Sequence, residues 1–549
     1  MTRAGMVPWP ADAAELYVRA GYWRQRPLGD LPWQWEHRHG ERTALVDGAR
    51  RLSFRELAES ADALAERLLA DGLADGDNLL LQLPNSAELV VLFLACLRIG
   101  VAPVMMLPSH RDHEMVAVAR HAGVAAVAVP DTLRGYDHAA LAERVRAQAP
   151  TVRSVLVAGR AGPGQTPLRL PRVDPAEVDA RRRRLDAHRV DPAGVALFLL
   201  SGGSTGLPKL IARTHNDYDY NLHRSAQVCG YGPDTVYLVA LPAGHNFPLG
   251  SPGLLGALAW GGTVVLSPSP SPQQVFGLVA RERVTDVAAV PAVVARWVEA
   301  IEAGAAPDLS SMRTVQVGGS LFAPEAARQA RVTLGCRVQQ VYGMAEGLLN
   351  YTRPTDGDEV EATTQGRPIS PHDEIRVVGA DGRPVPPGHS GELLTRGPYT
   401  PRGYFDAAEH NRAVFTEDGF FRTGDLVYLH PSGNLVVSGR SKDIINRGGE
   451  KIAADEIERL VQQLPGVAEV AAVAGPDPVL GERICVYAVL RPGHELTLDQ
   501  VRALFAAQGV ALFKVPQVLE VVAELPHTPV GKIDKPELRR LAAHSHTGV

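Results

Sequence analysis

The sequence predicts an α/β protein with a large N-terminal domain of layered α/β subdomains, a β-rich subdomain after it, and a small α+β domain at the C-terminal end. Three observations carry this. Through roughly the first two thirds of the chain, short apolar runs alternate with amphipathic or wholly apolar helical stretches. Beyond Gly366 the pattern turns to short strands punctuated by Gly and Pro. Near Gly439 it changes again, leaving about 110 residues, enough for a separate lobe. The boundary expected from composition therefore divides residues 1–438 from 439–549.

Taken in order, residues 43–100 read as an extended pair, TALVDG and RRLSFREL, an Ala/Leu helix, the strand DNLLLQLP and the helix SAELVVLFLACLRIG. VAPVMMLP, a helix over 115–123, AVAVP and SVLVAG continue the same unit, whose apolar strands predict a buried parallel layer. Residues 171–191 are polar and include four consecutive arginines, Arg181 to Arg184, which predict a solvated helix or linker. After a Gly-rich loop come the strands VYLVALP and TVVLSP with apolar helices between them. The tail reads as the helix ADEIERLVQQLP, the strands EVAAVAG and RICVYAVLRP, another helix and a final strand VLEVVAELP.

Composition narrows the function. A formal net charge of -5 with 21% charged residues offers neither the basic field of a nucleic-acid binder nor an acidic tail, so small molecules or proteins are the expected partners. Cys96, Cys229, Cys336 and Cys485 are far apart and form no C-x-x-C pair, which predicts small buried apolar side chains rather than bridges. The N-terminus carries acidic residues and prolines where a signal peptide has an apolar core. The most apolar early run, residues 89–99, falls short of the roughly 20 residues that span a bilayer. A cytoplasmic protein with no membrane partner, monomeric or homodimeric, is expected.

The most informative segment is FLLSGGSTGLPKLIARTHND. Its core, Ser201, Gly202, Gly203, Ser204, Thr205 and Gly206, follows an apolar strand, and Lys209 adds a cation. Glycines let backbone N–H groups approach phosphate oxygens closely. It is not a Walker A loop, because Leu207 and Pro208 separate Gly206 from the lysine.

With VYGMAEG (341–347), FRTGD (421–425), GRSKDIINRGGEKI (439–452) and PHTPVGKIDK (526–535) following in order, the chain resembles the adenylate-forming superfamily of acyl-CoA synthetases, luciferases and nonribosomal peptide synthetase adenylation domains. The resemblance covers almost the whole chain. It implies ATP and Mg²⁺, with Gly318, Gly343 and Met344 lining the nucleotide site. The same resemblance implies that Tyr342 lies against adenine, Asp425 accepts from the ribose, Arg440 sits near ribose and phosphate, and Glu346 is the acid associated with the metal. Lys532 is the implied catalytic lysine, its ammonium bringing the attacking carboxylate and the α-phosphate together. Lys442 is the implied hinge about which the small lobe rotates between adenylation and thioester formation. The resemblance also implies that in the second orientation the loop Arg447-Gly448-Gly449 comes near the thiol's path.

Substrate class rests on AGHNFPLGSPG, residues 243–253. α-Amino acid adenylation domains usually have an aspartate where this chain has Asn246, so an ammonium would lack its partner. The resemblance is to stand-alone aryl-acid AMP ligases of siderophore and related pathways. It implies that Asn246 bonds the ortho hydroxyl or the carboxylate, that His245 lies beside acid and nucleotide, and that Phe247, Gly250, Ser251, Gly318 and Leu349 line the acid pocket. Ser251 matches the dihydroxybenzoate type and Leu349 the salicylate type, while Gly250 is expected to leave room for a larger ring. No carrier module follows Lys535, so an aryl carrier protein bearing phosphopantetheine is expected in trans, with coenzyme A as the rival acceptor. A non-catalytic adenylate sensor is the reading from another class, against which the retention of Lys532, Glu346 and Asp425 together argues.

Overall fold

The computed structural model describes residues 3–201, 208–440, 444–526 and 533–544. Two large sheets build the N-terminal domain. One has nine strands, in which Thr43–Asp47, Val236–Val239, Thr263–Leu266, Asp286–Ala289, Thr314–Val317 and Arg337–Met344 run parallel, with antiparallel partners at both edges. The other has seven, centred on Asn78–Leu81, Ala102–Met105, Ala126–Pro130 and Ser154–Ala158. The early run read as one continuous unit is thus divided. Thr43–Asp47 leaves its sequence neighbours and pairs with Thr263–Leu266, a pairing between distant segments that local periodicity cannot register.

Local chemistry explains where the helices begin and stop. Ser53 and Glu56 form a capping box at the start of Phe54–Ala70, and Ser86 caps Ala87–Arg98. The latter helix is apolar all round, and nearly every residue of it is buried between neighbours. Gly123 closes Asp112–Ala122 in the left-handed region that glycine adopts without cost. The arginine run lies in the helix Val178–Asp186, where Arg181 and Arg184 donate to Glu66 at 3.0 and 2.8 Å and Arg182 stacks over Trp33. Cys96, Cys336 and Cys485 are buried and Cys229 is partly so, all four unbridged.

The β-rich subdomain is an antiparallel sheet of Glu374–Val378, Gly391–Arg396, Phe421–Leu429 and Leu435–Arg440. The last strand carries through Arg440, two residues beyond the division read from composition, and Ile444–Arg447 already belongs to the C-terminal sheet. That lobe pairs Val467–Asp477 with Gly481–Leu490, and adds Val518–Val521 parallel to the latter. A further helix, Lys535–His544, was not anticipated from sequence.

The lobe docks through a buried ion cluster. Lys514 Nζ lies 3.1 Å from Glu114 Oε1 of the large domain and 2.8 Å from Glu456 Oε1 of its own lobe. Glu114 also accepts from the Ala511 N–H at 3.3 Å, and the His113 N–H donates to the Gly509 carbonyl at 3.3 Å. Burial alone would lower the lysine's affinity for its proton, but the two carboxylates hold its pKa above the ordinary value.

Five histidines, His110, His138, His215, His223 and His245, are held at a pKa of about 4, chiefly by burial. Their folded values lie below the unfolded value, so the unfolded chain binds more protons as pH falls from 6.5 towards 4. This contribution is fully present above pH 6.5 and is lost across that window, at about 1.4 kcal/mol per pH unit for each group that takes up its proton only on unfolding. Calorimetry from pH 7.5 to 5 should show Tm falling steadily with acidification; a flat Tm would contradict it.

Candidate active site

A cavity of about 110 Å³ lies where the two lobes meet, walled by His245, Asn246, Phe247 and Ser251, by Gly318 and Leu349, and by Gly448 to Glu450 of the small lobe. The short helix Asn246–Gly250 starts with His245 as its cap, and His245 Nδ1 accepts the Phe247 N–H at 3.2 Å. The other ring nitrogen therefore carries the proton, and burial, helped by Lys451, keeps the ring neutral. Asn246 is buried with its amide oriented on both sides. Tyr218 Oη donates to its Oδ1 at 2.8 Å, and its Nδ2 donates to Ser251 Oγ at 3.1 Å. Gly318 keeps the wall thin, since a Cβ there would lie 2.8 Å from the Val341 carbonyl oxygen.

Gly250 does not line this cavity, which corrects the expectation of extra room beside Ser251. The Tyr218 phenol occupies the space a side chain would take; a Cβ on Gly250 would lie 2.4 Å from its hydroxyl oxygen. Gly250→Ser should push Tyr218 off Asn246 and cost about 1–3 kcal/mol by overpacking. The expected readout is a lower Tm with weaker acid binding, and an unchanged Tm would contradict it.

Sequence reading missed the residues that hold this wall in place. Arg213 is fully buried, with Nε donating to Asp217 Oδ1 at 2.6 Å and Nη1 to the Ala345 carbonyl at 3.0 Å, and its guanidinium lies over the Tyr218 ring. Tyr399 Oη accepts the Leu349 N–H at 3.0 Å and donates to Asp373, whose carboxyl burial pushes up to about 7. The signal was present in ARTHNDYDYN, where Thr214 and Asp217 form a capping box and Arg213 and Asp217 stand four apart.

The hairpin Arg337–Met344 and Gly347–Tyr351 joins this cavity to two others. The first, also bordered by His245, Asn246 and Glu450, extends to Ser201, Pro208 and Glu346. Ser201 and Lys209 tie the stem of the glycine loop together, Lys209 N–H to Ser201 Oγ at 3.0 Å and Ser201 N–H to the Lys209 carbonyl at 2.9 Å. The second reaches Tyr342, Gly343 and Asp425. Tyr342 Oη donates to Asp425 Oδ2 at 2.7 Å, so the residues matched to adenine and ribose are in direct contact, and the Arg440 backbone pairs with Asp425 across the sheet. Met344 borders the first two cavities. Gly202, Gly203, Ser204, Thr205 and Gly206, the hinge candidate Lys442 and the catalytic candidate Lys532 lie outside the described residues.

Glu346 Oε1 accepts from Tyr404 Oη at 2.7 Å, which fixes the carboxylate at the cavity beside Ser201. Among the described residues no three His, Cys, Asp or Glu gather as a metal cage. A single oriented carboxylate beside a phosphate-sized space fits Mg²⁺, which takes one or two carboxylates with substrate phosphates and water.

A two-sheet domain closed by a smaller lobe over adjoining apolar and polar cavities, with Ser201 and Pro208 at the polar end, is the arrangement of a ligase that joins an organic acid to a nucleotide. The chain belongs to the AMP-binding enzyme family, which matches residues 32–405, with the AMP-binding enzyme C-terminal domain matching 456–532. It is 58% identical over 543 residues to a salicylyl-CoA synthase / salicylate adenylyltransferase of a Streptomyces species, covering 98% of both chains. It is 46% identical to the 2,3-dihydroxybenzoate-AMP ligase of Bacillus subtilis, covering 97% of both. The apo structure of MbtA from Mycobacterium smegmatis matches with a TM-score of 0.73 at 42% identity, covering 98% of both. Among the described residues no helix is long and apolar enough to cross a membrane.

Proposed function

We propose that this ligase uses ATP to convert an aryl acid with an ortho hydroxyl group into its aryl-AMP, releasing pyrophosphate, and then passes the acyl group to a phosphopantetheine thiol. The observation that carries the acid class is the Asn246 amide. Its oxygen is engaged by Tyr218 and one N–H by Ser251, leaving its second N–H as a donor towards a substrate oxygen. Among the described residues, the large domain contributes no carboxylate to the cavity walls that would pair an ammonium. Salicylate or a substituted salicylate is the favoured acid, supported by Leu349 in the wall and the 58% identical relative, with 2,3-dihydroxybenzoate as the alternative supported by Ser251.

In the first half-reaction the acid's carboxylate attacks the α-phosphorus and pyrophosphate leaves. Neutral His245 orients the acid, Tyr342 and Asp425 hold the nucleoside, and the loop 201–209 holds the phosphates. Lys532 stabilises the meeting of two anions, the role its motif implies. Mg²⁺, held by Glu346, would offset phosphate charge. The observed lobe position suits the second half-reaction, because Gly448 and Gly449 line the acid cavity.

An aryl carrier protein in trans is the proposed acceptor. Coenzyme A is the second reading, favoured by the name of the 58% identical relative. Single-turnover transfer of radiolabelled salicylate from the enzyme to each acceptor separates them. Transfer at least tenfold faster to the carrier is expected, and faster transfer to coenzyme A would overturn the carrier assignment.

A further inference from the structure

Thiol transfer releases a proton, and among the described residues the cavity walls contain two titratable residues, His245 and Glu450. His245 cannot take that proton well. Its Nδ1 is occupied by the Phe247 N–H, its other nitrogen already carries hydrogen, and burial makes it a weak base. Glu450 opens the strand Glu450–Ala453 immediately after Gly448 and Gly449, both at positive φ, where the corner packs against Val290 and Gly319. Asn446 Nδ2 fixes the same hairpin to the Gly319 carbonyl at 2.9 Å. Glu450 lines both the acid cavity and the phosphate-side cavity, so it stands at their junction, where an acyl-phosphate linkage would lie. Among the described residues it has no hydrogen-bond or ion-pair partner within bonding distance, unlike Glu114 and Glu456, which are committed to Lys514.

The geometry points to Glu450 as the base that accepts the thiol proton when sulfur attacks the acyl-adenylate. The S–H bond breaks with its proton passing to the carboxylate, a C–S bond forms, the bond from the acyl carbon to the phosphate oxygen breaks, and AMP leaves with that electron pair. The inference rests on the thioester-forming reading above. Because Glu450 belongs to the small lobe, the base arrives at the acyl group only when that lobe occupies this position, which ties proton removal to lobe rotation.

Among the described residues, the charged and titratable groups lining this junction with Glu450 are His110, His245, Glu346, Lys451, Glu456 and Lys514. Burial raises the Glu450 carboxyl to about 7, with the Lys514 charge pulling it back, a value suited to a base working near neutrality.

The test uses the full-length enzyme with preformed salicyl-AMP and pantetheine, following transfer from pH 5.5 to 8.5, with pyrophosphate exchange measured in parallel. In the wild type, transfer should rise with a limb near pH 7. Glu450→Gln should reduce transfer about 100-fold and remove that limb, and Glu450→Asp should restore part of both. The loss in Glu450→Gln should shrink at least tenfold with 2,2,2-trifluoroethanethiol, which is substantially ionised near pH 7.5 and needs no base. An equal loss with both thiols, or an unchanged pH profile in Glu450→Gln, overturns the assignment. Absence of wild-type exchange with every aryl acid defeats the underlying reading instead.

Discussion

Asn246→Asp should lower kcat/KM for salicylate in ATP–pyrophosphate exchange about 1000-fold. Asn246 is 6% exposed, and its amide already satisfies Tyr218 through its oxygen and Ser251 through its nitrogen. A carboxylate of the same shape keeps the bond from Tyr218 but loses both N–H groups and sets an anion beside the substrate's own carboxylate. At about 4 Å and an effective dielectric near 20 that repulsion amounts to about 4 kcal/mol, or three decades in rate. Acidification should recover activity, because the protonated acid is neutral and burial favours that form. A loss below tenfold would mean the acid does not bind against Asn246.

The second large effect falls on lobe position. Lys514→Met removes the cation between Glu114 and Glu456 and leaves two buried carboxylates facing each other across the lobe boundary. Breaking a buried ion cluster from one side costs about 3–5 kcal/mol, more than a single surface contact provides. The observed orientation should therefore lose population by at least 100-fold, and transfer from salicyl-AMP should fall with it. Exchange, which on the proposed lobe rotation uses the other orientation, should fall far less. Lys514 also draws the Glu450 carboxyl downward, so the pH limb of the residual transfer should move up. Adding Glu114→Gln should restore part of the loss by removing one of the uncompensated charges. Equal reduction of exchange and transfer would contradict a role in lobe position.

Why some of this was legible in the sequence and some was not follows from how each feature is encoded. Strand and helix alternation, capping residues such as Ser53 and Ser86, and the glycine-rich turns are local, and they placed most elements. The assignment of Thr43–Asp47 to the nine-stranded sheet is not local, since its neighbour lies some 220 residues away in sequence. At the site, Asn246, Ser251 and Leu349 could be picked out by motif, and they share one cavity. Gly250 misled because an absent side chain reads as space, whereas Tyr218, 32 positions earlier, fills it. Glu450 was quoted within its motif without a role, because a carboxylate's importance here depends on burial between two lobes and on what its neighbours are already bonded to.

The most direct measurement is acid-dependent exchange of pyrophosphate into ATP, with Mg²⁺ present, across salicylate, methylated salicylates, 2,3-dihydroxybenzoate, benzoate, and bicyclic and pyridine acids. Exchange supported by ortho-hydroxylated acids, with benzoate at least tenfold poorer, is the expected result. If none of these acids supports exchange, the chain is not an aryl-acid adenylating ligase.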